Sequence, residues 1–299
     1  MTSAAPHAPF GRVLTAMATV FADDGSVDLE ATAKVAAHLV DHGNDGLVVS
    51  GTTGESATTT VAEDAETLRA VKEAVGDRAT IVAGCGTNDT RTSIQLAEQA
   101  AANGADGLLL VTPYYNKPSQ AGVLHHFRQV VDATDLPVML YDIPGRTGTK
   151  LAPSTFETIA DWERVVAVKD AAADPTQAVL LTGLGFAVYS GDDALTLGFL
   201  AYGGCGVVSV LGHVAGDQLK AMVDAFLAGD LATAQRINAQ LQPALHAVMG
   251  APNYGATTAK AGLELLGVIS NRQVRSPLVP LDADEVAALR AGLTASGLL

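Results

Sequence analysis

The chain alternates between short, continuous apolar runs and longer stretches in which apolar residues recur every three or four positions. The short runs, rich in β-branched residues, lie at 13–19, 46–50, 80–83, 107–111, 138–141, 165–168, 187–190 and 206–210. They return roughly every 28 residues, about one βα unit. Because they are continuous rather than alternating, they predict strands buried on both faces.

The stretches between them read as helices. Leu29, Ala33, Ala36 and Val40 share one helical face, and so do Leu219, Met222, Val223, Phe226 and Leu227. Asp28, Pro153-Ser154 and Pro175 supply start signals, and the glycines after His42 and Asn103 supply stops. Eight such units predict the α/β class and a closed (β/α)8 TIM barrel. An open doubly wound sheet would offer a Gly-rich dinucleotide loop after its first strand. Here Val20-Phe21-Ala22-Asp23 follows instead. Past residue 228 the pattern is helical only, with Ala234, Ile237, Leu241, Leu245 and Val248 in one stripe and further helices near 256–267 and 282–297. The expected organisation is a barrel domain over 1–228 and a C-terminal helical extension over 229–299.

Composition narrows the function. A chain of 299 residues suits one barrel with an appendage. A formal net charge of −14 argues against nucleic acid or an anionic membrane as partner, since both need a basic surface. Cys85 and Cys205 each sit beside glycine and suggest neither a disulfide framework nor a zinc site. No apolar stretch reaches roughly 18 residues, and no basic segment followed by an apolar run opens the chain, so the expectation is a soluble, cytoplasmic protein.

In this fold chemistry gathers at the C-terminal ends of the strands. Lys169 follows the apolar run Val165-Val166-Ala167-Val168. Lost hydration there disfavours the ammonium, and a neutral amine attacks ketones to form an imine. A strand-end lysine that snorkels to water is the other reading. Tyr141 ends the preceding run; it either shuttles protons at such an imine or packs across the barrel top. After the second run, Thr52 is placed to relay protons, and Thr53 with backbone N–H groups to hold a carboxylate, unless the turn is plain punctuation. Arg146, set by Pro144 and Gly145, is either a bidentate carboxylate clamp or a surface arginine.

Other chemistries are less well supplied. Lys34, Lys72, Lys117, Lys150, Lys220 and Lys260 fall in helical patterns or loops. His38 and His42 are spaced for a metal but lack a third ligand, so they read as solvent-facing. His213, just past the eighth run, is a weak site candidate. Asp192 and Asp193, after the seventh, would repel phosphate. No Walker, kinase or G-x-S-x-G motif occurs.

Six segments together resemble the dihydrodipicolinate synthase / N-acetylneuraminate lyase family: GTTGES at 51–56, TPYYNKPSQ at 112–120, LYDIPGRTG at 140–148, VAVKD at 166–170, SGDDA at 190–194 and GGCGVVSV at 203–210. They occur in order across roughly residues 10–250. The family fold is a (β/α)8 barrel with a C-terminal helical extension. The resemblance implies Lys169 as the Schiff-base lysine and Tyr141 as proton donor and acceptor. It implies Thr52 and Tyr115 as the rest of a proton relay, with Tyr115 reaching in from a neighbouring subunit. Thr53 would hold the pyruvate carboxylate, the backbone at Val208 would lie at the pyruvate pocket, and Gly191, in SGDDA, would join the substrate-binding residues. Arg146 would bind the carboxylate of a second substrate, which points to the synthase branch. That branch condenses pyruvate with L-aspartate 4-semialdehyde, giving 4-hydroxy-tetrahydrodipicolinate for lysine and diaminopimelate synthesis. The alternatives are an N-acetylneuraminate or 2-keto-3-deoxy sugar acid lyase, or a non-catalytic keto-acid binder. The resemblance also implies a homotetramer, with no cofactor and no metal.

Three departures stand out. Val20 occupies a position where the family usually has proline, and the segment after residue 250 matches only loosely. Family members inhibited by lysine carry histidines after GTTGES and a glutamate after the third strand; here Val61, Asp64 and Thr92 stand at those positions. Feedback inhibition is therefore expected to be weak or absent.

Overall fold

A computed structural model describes residues 5–299. Residues 1–4, at the start of the expected barrel domain, lie outside the described residues. Eight parallel strands close into a barrel in chain order. They are β1 (Val13–Ala16), β2 (Gly46–Val49), β3 (Thr80–Gly84), β4 (Gly107–Val111), β5 (Val138–Asp142), β6 (Val165–Asp170), β7 (Ala187–Ser190) and β8 (Gly206–Ser209). The barrel helices are α1 (Leu29–Asp41), α2 (Val61–Val75), α3 (Thr90–Ala102), α4 (Gln120–Val131), α5 (Pro144–Thr147), α6 (Pro153–Ile159), α7 (Gln177–Gly183), α8 (Thr196–Ala201) and α9 (Gly212–Leu227). Three more follow: α10 (Leu231–Met249), α11 (Ala256–Leu265) and α12 (Ala283–Ala295).

The continuous apolar runs are explained by two cores. Alternate strand residues such as Leu14, Val48, Val82, Leu109, Met139, Ala167, Tyr189 and Val208 fill the barrel interior. Their neighbours, such as Leu47, Val49, Ile81, Leu108, Leu140 and Val168, pack outward under the helices. Each strand is therefore buried on both faces. The apolar stripe of α10 packs with α9 and α12 in a third cluster. Local signals act as expected at the helix starts: the Asp28 side chain accepts from Ala31 N, and Pro153 opens α6.

The first run is shorter as a strand than its apolar pattern suggests. Met17 N still donates to Val48 O, but Ala18 N donates to His213 Nε2 at 3.0 Å, so the ladder ends at Ala16. Val20 then donates its N–H to Thr32 Oγ1 at 3.0 Å. Proline has no such donor, so at this position the chain gains a tie between the β1 loop and α1.

Candidate active site

Strand alternation decides which side chains reach the barrel mouth. On β6, Ala167 and Lys169 face the interior, and on β5 Met139 and Tyr141 do the same. Tyr141 and Lys169 are register partners on these adjacent strands. The lysine Nζ stands 4.1 Å from the centre of the tyrosine ring. Asp142 and Asp170, the next pair, turn the other way. There Asp142 accepts from Leu151 N, and Asp170 accepts from Ala172 N and Gln177 Nε2.

Lys169 is a member of β6 rather than the residue after it, and it is only 5% exposed. Burial pulls its pKa down to about 8; the Asp193 carboxylate acts against that shift and the Arg146 guanidinium with it. Burial pushes the Tyr141 phenol up to about 12, with Arg146 and a hydrogen bond from Thr52 acting the other way. The pair thus combines an amine that releases its proton unusually easily with a phenol that keeps its own.

A cavity of about 480 Å³ opens above them. Lys169, Tyr141, Thr52, Thr53, Arg146 and Gly191 all line it, so six of the eight residues singled out in the sequence share one space. Gly191 has a steric reason to be glycine. A Cβ there would lie 2.8 Å from Ala171 Cβ and 3.0 Å from Asp170 O, against the end of β6. Arg146, in the one-turn helix α5, makes no salt bridge among the described residues. Its guanidinium stacks instead on the Tyr254 ring, 5.2 Å from the centre, and both line the cavity.

Two expected residues lie apart. Val208 is buried in the barrel interior below the cavity floor, and Val210 is the β8-side residue that lines it. Tyr115 is 88% exposed, has a left-handed backbone (φ 72°), and lines a neighbouring cavity of about 460 Å³ with Tyr114, Ser56 and Ala57. The two cavities share Thr52, Tyr141, Ile143, Arg146 and Leu278.

Residues 9–296 match the model of the Dihydrodipicolinate synthetase family. The chain belongs to the dihydrodipicolinate synthetase family.

Members of this family resemble it over nearly their whole length. The 4-hydroxy-tetrahydrodipicolinate synthase of Acidothermus cellulolyticus is 55% identical over 298 residues, covering 99% of this chain and 96% of that protein. The 4-hydroxy-tetrahydrodipicolinate synthase 2 of Streptomyces coelicolor is 51% identical, covering 98% and 97%. Among solved structures, the synthase of Cyanidioschyzon merolae with lysine bound superposes with a TM-score of 0.93 at 41% identity, covering 97% of this chain and 99% of that one.

His38, His42, Asp193, His213 and Lys260, also singled out in the sequence, lie outside the Lys169 cavity. His213 is not a free site group. Its Nε2 accepts from Ala18 N and its Nδ1 donates to Val210 O, which fixes a neutral tautomer; burial lowers its pKa to about 4. His42 bonds Asp217 at the surface, whereas its helix neighbour His38 is half-buried. Asp193 is turned inward, where it accepts from Ser209 Oγ and from the N–H groups of Val210 and Leu211, and burial raises its pKa. It braces the turn after β8. Among the described residues no cluster of three or more His, Cys, Asp or Glu side chains is arranged to hold a metal, and no helix is long and apolar enough to cross a membrane. Lys260 departs furthest from its sequence reading: it is fully buried.

Proposed function

We propose that this chain condenses pyruvate with L-aspartate 4-semialdehyde to 4-hydroxy-tetrahydrodipicolinate, with Lys169 as the Schiff-base residue. The observation that carries this reading is the buried amine of Lys169 beside Tyr141, facing a cavity that also holds an uncommitted guanidinium, Arg146. The names of the full-length relatives support it.

The geometry lends itself to a sequence of proton-coupled steps. The neutral amine attacks the pyruvate ketone. The carbinolamine then loses water, taking a proton from Tyr141, to give an imine. Withdrawal of a methyl proton yields the enamine, with the protonated imine nitrogen as electron sink, so the chemistry calls for no cofactor. The enamine carbon attacks the aldehyde, and the aldehyde's oxygen becomes the hydroxyl. The amino group of the second substrate then attacks the imine carbon, which releases Lys169 and closes the ring. One water leaves per condensation. Thr53 and neighbouring N–H groups hold the pyruvate carboxylate, Thr52 relays protons to Tyr141, Arg146 clamps the carboxylate of the aldehyde, and Gly191 and the Val208 strand bound the pyruvate end.

The finer parts of this reading concern assembly and place. Tyr115 is too exposed to serve its own chain's Lys169, and it suits insertion into a second copy, as part of a homotetramer. The barrel over 1–228 is the catalytic domain, and the extension over 229–299 supplies Asn253 and Tyr254 to the cavity wall. The enzyme works in the cytoplasm. Turnover with both substrates, measured by disappearance of pyruvate only when the semialdehyde is present, tests the reading; cleavage of N-acetylneuraminate faster than this condensation would overturn it.

A further inference from the structure

A second lysine is buried even more deeply than Lys169. Lys260, on α11, is 0% exposed; its Nζ lies 2.5 Å from Glu55 Oε1 and 2.7 Å from Gln273 O. The other Glu55 oxygen accepts from Arg275 N at 2.9 Å. Phe21 completes the cluster: the Lys260 ammonium stands 4.1 Å, and the Arg275 guanidinium 4.4 Å, from the centre of its ring. Burial pulls the Lys260 pKa down to about 8, against the pull of Glu55.

A buried ion pair is poor value for stability alone, because desolvation cancels much of the attraction and a well-packed apolar pair often does as well. What it adds is a fixed geometry, and here the fixed parts are two walls of the Lys169 cavity. Glu55 follows Thr52 and Thr53 within the same turn, and its own backbone is held in the left-handed region (φ 60°), unusual for a residue with a Cβ. Gly255 and Ala256, at the start of Lys260's helix, line the cavity with Thr52 and Thr53. Lys260 itself lines neither cavity, so it is out of reach of pyruvate.

We infer that the Glu55–Lys260 ion pair is a positioning device: it holds the Thr52–Thr53 turn over Lys169 and makes α11 part of the catalytic apparatus. This rests on the function proposed above. A displacement of about 1 Å in such a turn costs up to roughly a hundredfold in rate.

The test uses Glu55→Gln, Lys260→Met and the double variant, which buries no unpaired charge. All are assayed well below their melting temperatures beside wild type. The pyruvate KM should rise and the rate of borohydride-trappable imine formation should fall, each on the order of tenfold or more, while the semialdehyde KM stays close to wild type because Arg146 lies on another wall. The double variant should regain melting temperature without regaining the pyruvate KM. If it folds and shows wild-type constants for pyruvate, the pair is only structural and the inference fails. The same holds if the constants for both substrates shift together. If the singles do not fold, the double variant alone decides. Wild type that forms no imine at Lys169 would instead overturn the proposed function.

Discussion

Tyr141 and Lys169 are register partners on neighbouring parallel strands, with the lysine Nζ 4.1 Å from the tyrosine ring centre. The barrel ladder fixes both backbones side by side, so the fold itself sets where the reactive amine and the proton donor are anchored. Lys169→Ala should therefore remove turnover by on the order of 10⁴-fold or more, as expected when a nucleophile is deleted. Folding should be little affected, because the Lys169 side chain makes no salt bridge or hydrogen bond among the described residues and packs over the Tyr141 ring. Mass spectrometry after pyruvate and borohydride should find the adduct on Lys169 in wild type. An adduct on Lys260 or elsewhere would refute the mechanism.

The pH dependence follows from the same pair. With a pKa lowered by burial to about 8, Lys169 is an ammonium below that pH and a nucleophile above it. Imine formation with pyruvate should rise with pH and level off above about 8, rather than climbing toward the ordinary lysine value of 10.5. Tyr141, pushed up to about 12, keeps its proton across that range and adds no break of its own. Because the folded pKa lies below the unfolded one, folding releases a proton between them, and the penalty for burying Lys169 lessens as pH rises through that window. Rapid quenching with borohydride from pH 6 to 10 checks the profile; a midpoint near 10 would show that burial does not activate the amine.

Arg146 offers its guanidinium to the cavity while stacking on Tyr254, which lines the same cavity. Truncating a desolvated carboxylate partner costs roughly 2–5 kcal/mol, so Arg146→Ala should raise the semialdehyde KM at least about 30-fold. Pyruvate imine formation should change far less. Arg146→Lys should rescue little, since an ammonium has neither the fork nor the flat face that stacks on Tyr254. Steady-state kinetics with each substrate varied in turn separate the two effects; an unchanged semialdehyde KM would move the carboxylate site elsewhere.

Most of the barrel was legible because buried parallel strands leave continuous apolar runs, and all eight runs overlap strands. The runs are silent on where a ladder stops: residues 17–21 are as apolar as β1, but past Met17 the N–H groups of Ala18 and Val20 go to His213 and Thr32 instead. Lys169 and Tyr141 were visible as polar residues ending apolar runs. Lys260 was not, because a lysine within a helical pattern reads as a solvent-facing one. Only the packing of α11, buried from Ala256 through Leu263, reveals otherwise. Tyr254 sits in the loop before α11, where no periodicity marks it.

Regulation by lysine is expected to be weak or absent, and the structure sharpens the reason. Ser56, Ala57 and Tyr114 line the cavity beside Tyr115, so part of a ligand pocket is present. A bound lysine would also need an anionic partner for its α-ammonium. Thr92 stands where sensitive members carry glutamate, and its hydroxyl is committed to Asp89 at 2.7 Å. Glu55, the carboxylate that lines this cavity, is engaged by Lys260 Nζ and Arg275 N. Asp64 is buried, accepts from Thr59 Oγ1 at 2.8 Å, and has its pKa raised by burial. It cannot turn to a ligand without giving up that bond. An ammonium left unpaired in a partly buried site loses several kcal/mol, which is most of the roughly −4 kcal/mol that a 1 mM affinity represents. A dose series of L-lysine in the condensation assay should therefore show half-inhibition only above about 1 mM. Tight inhibition would mean that another carboxylate, such as Asp64 after rearrangement, completes the site, and Asp64→Asn would then abolish it.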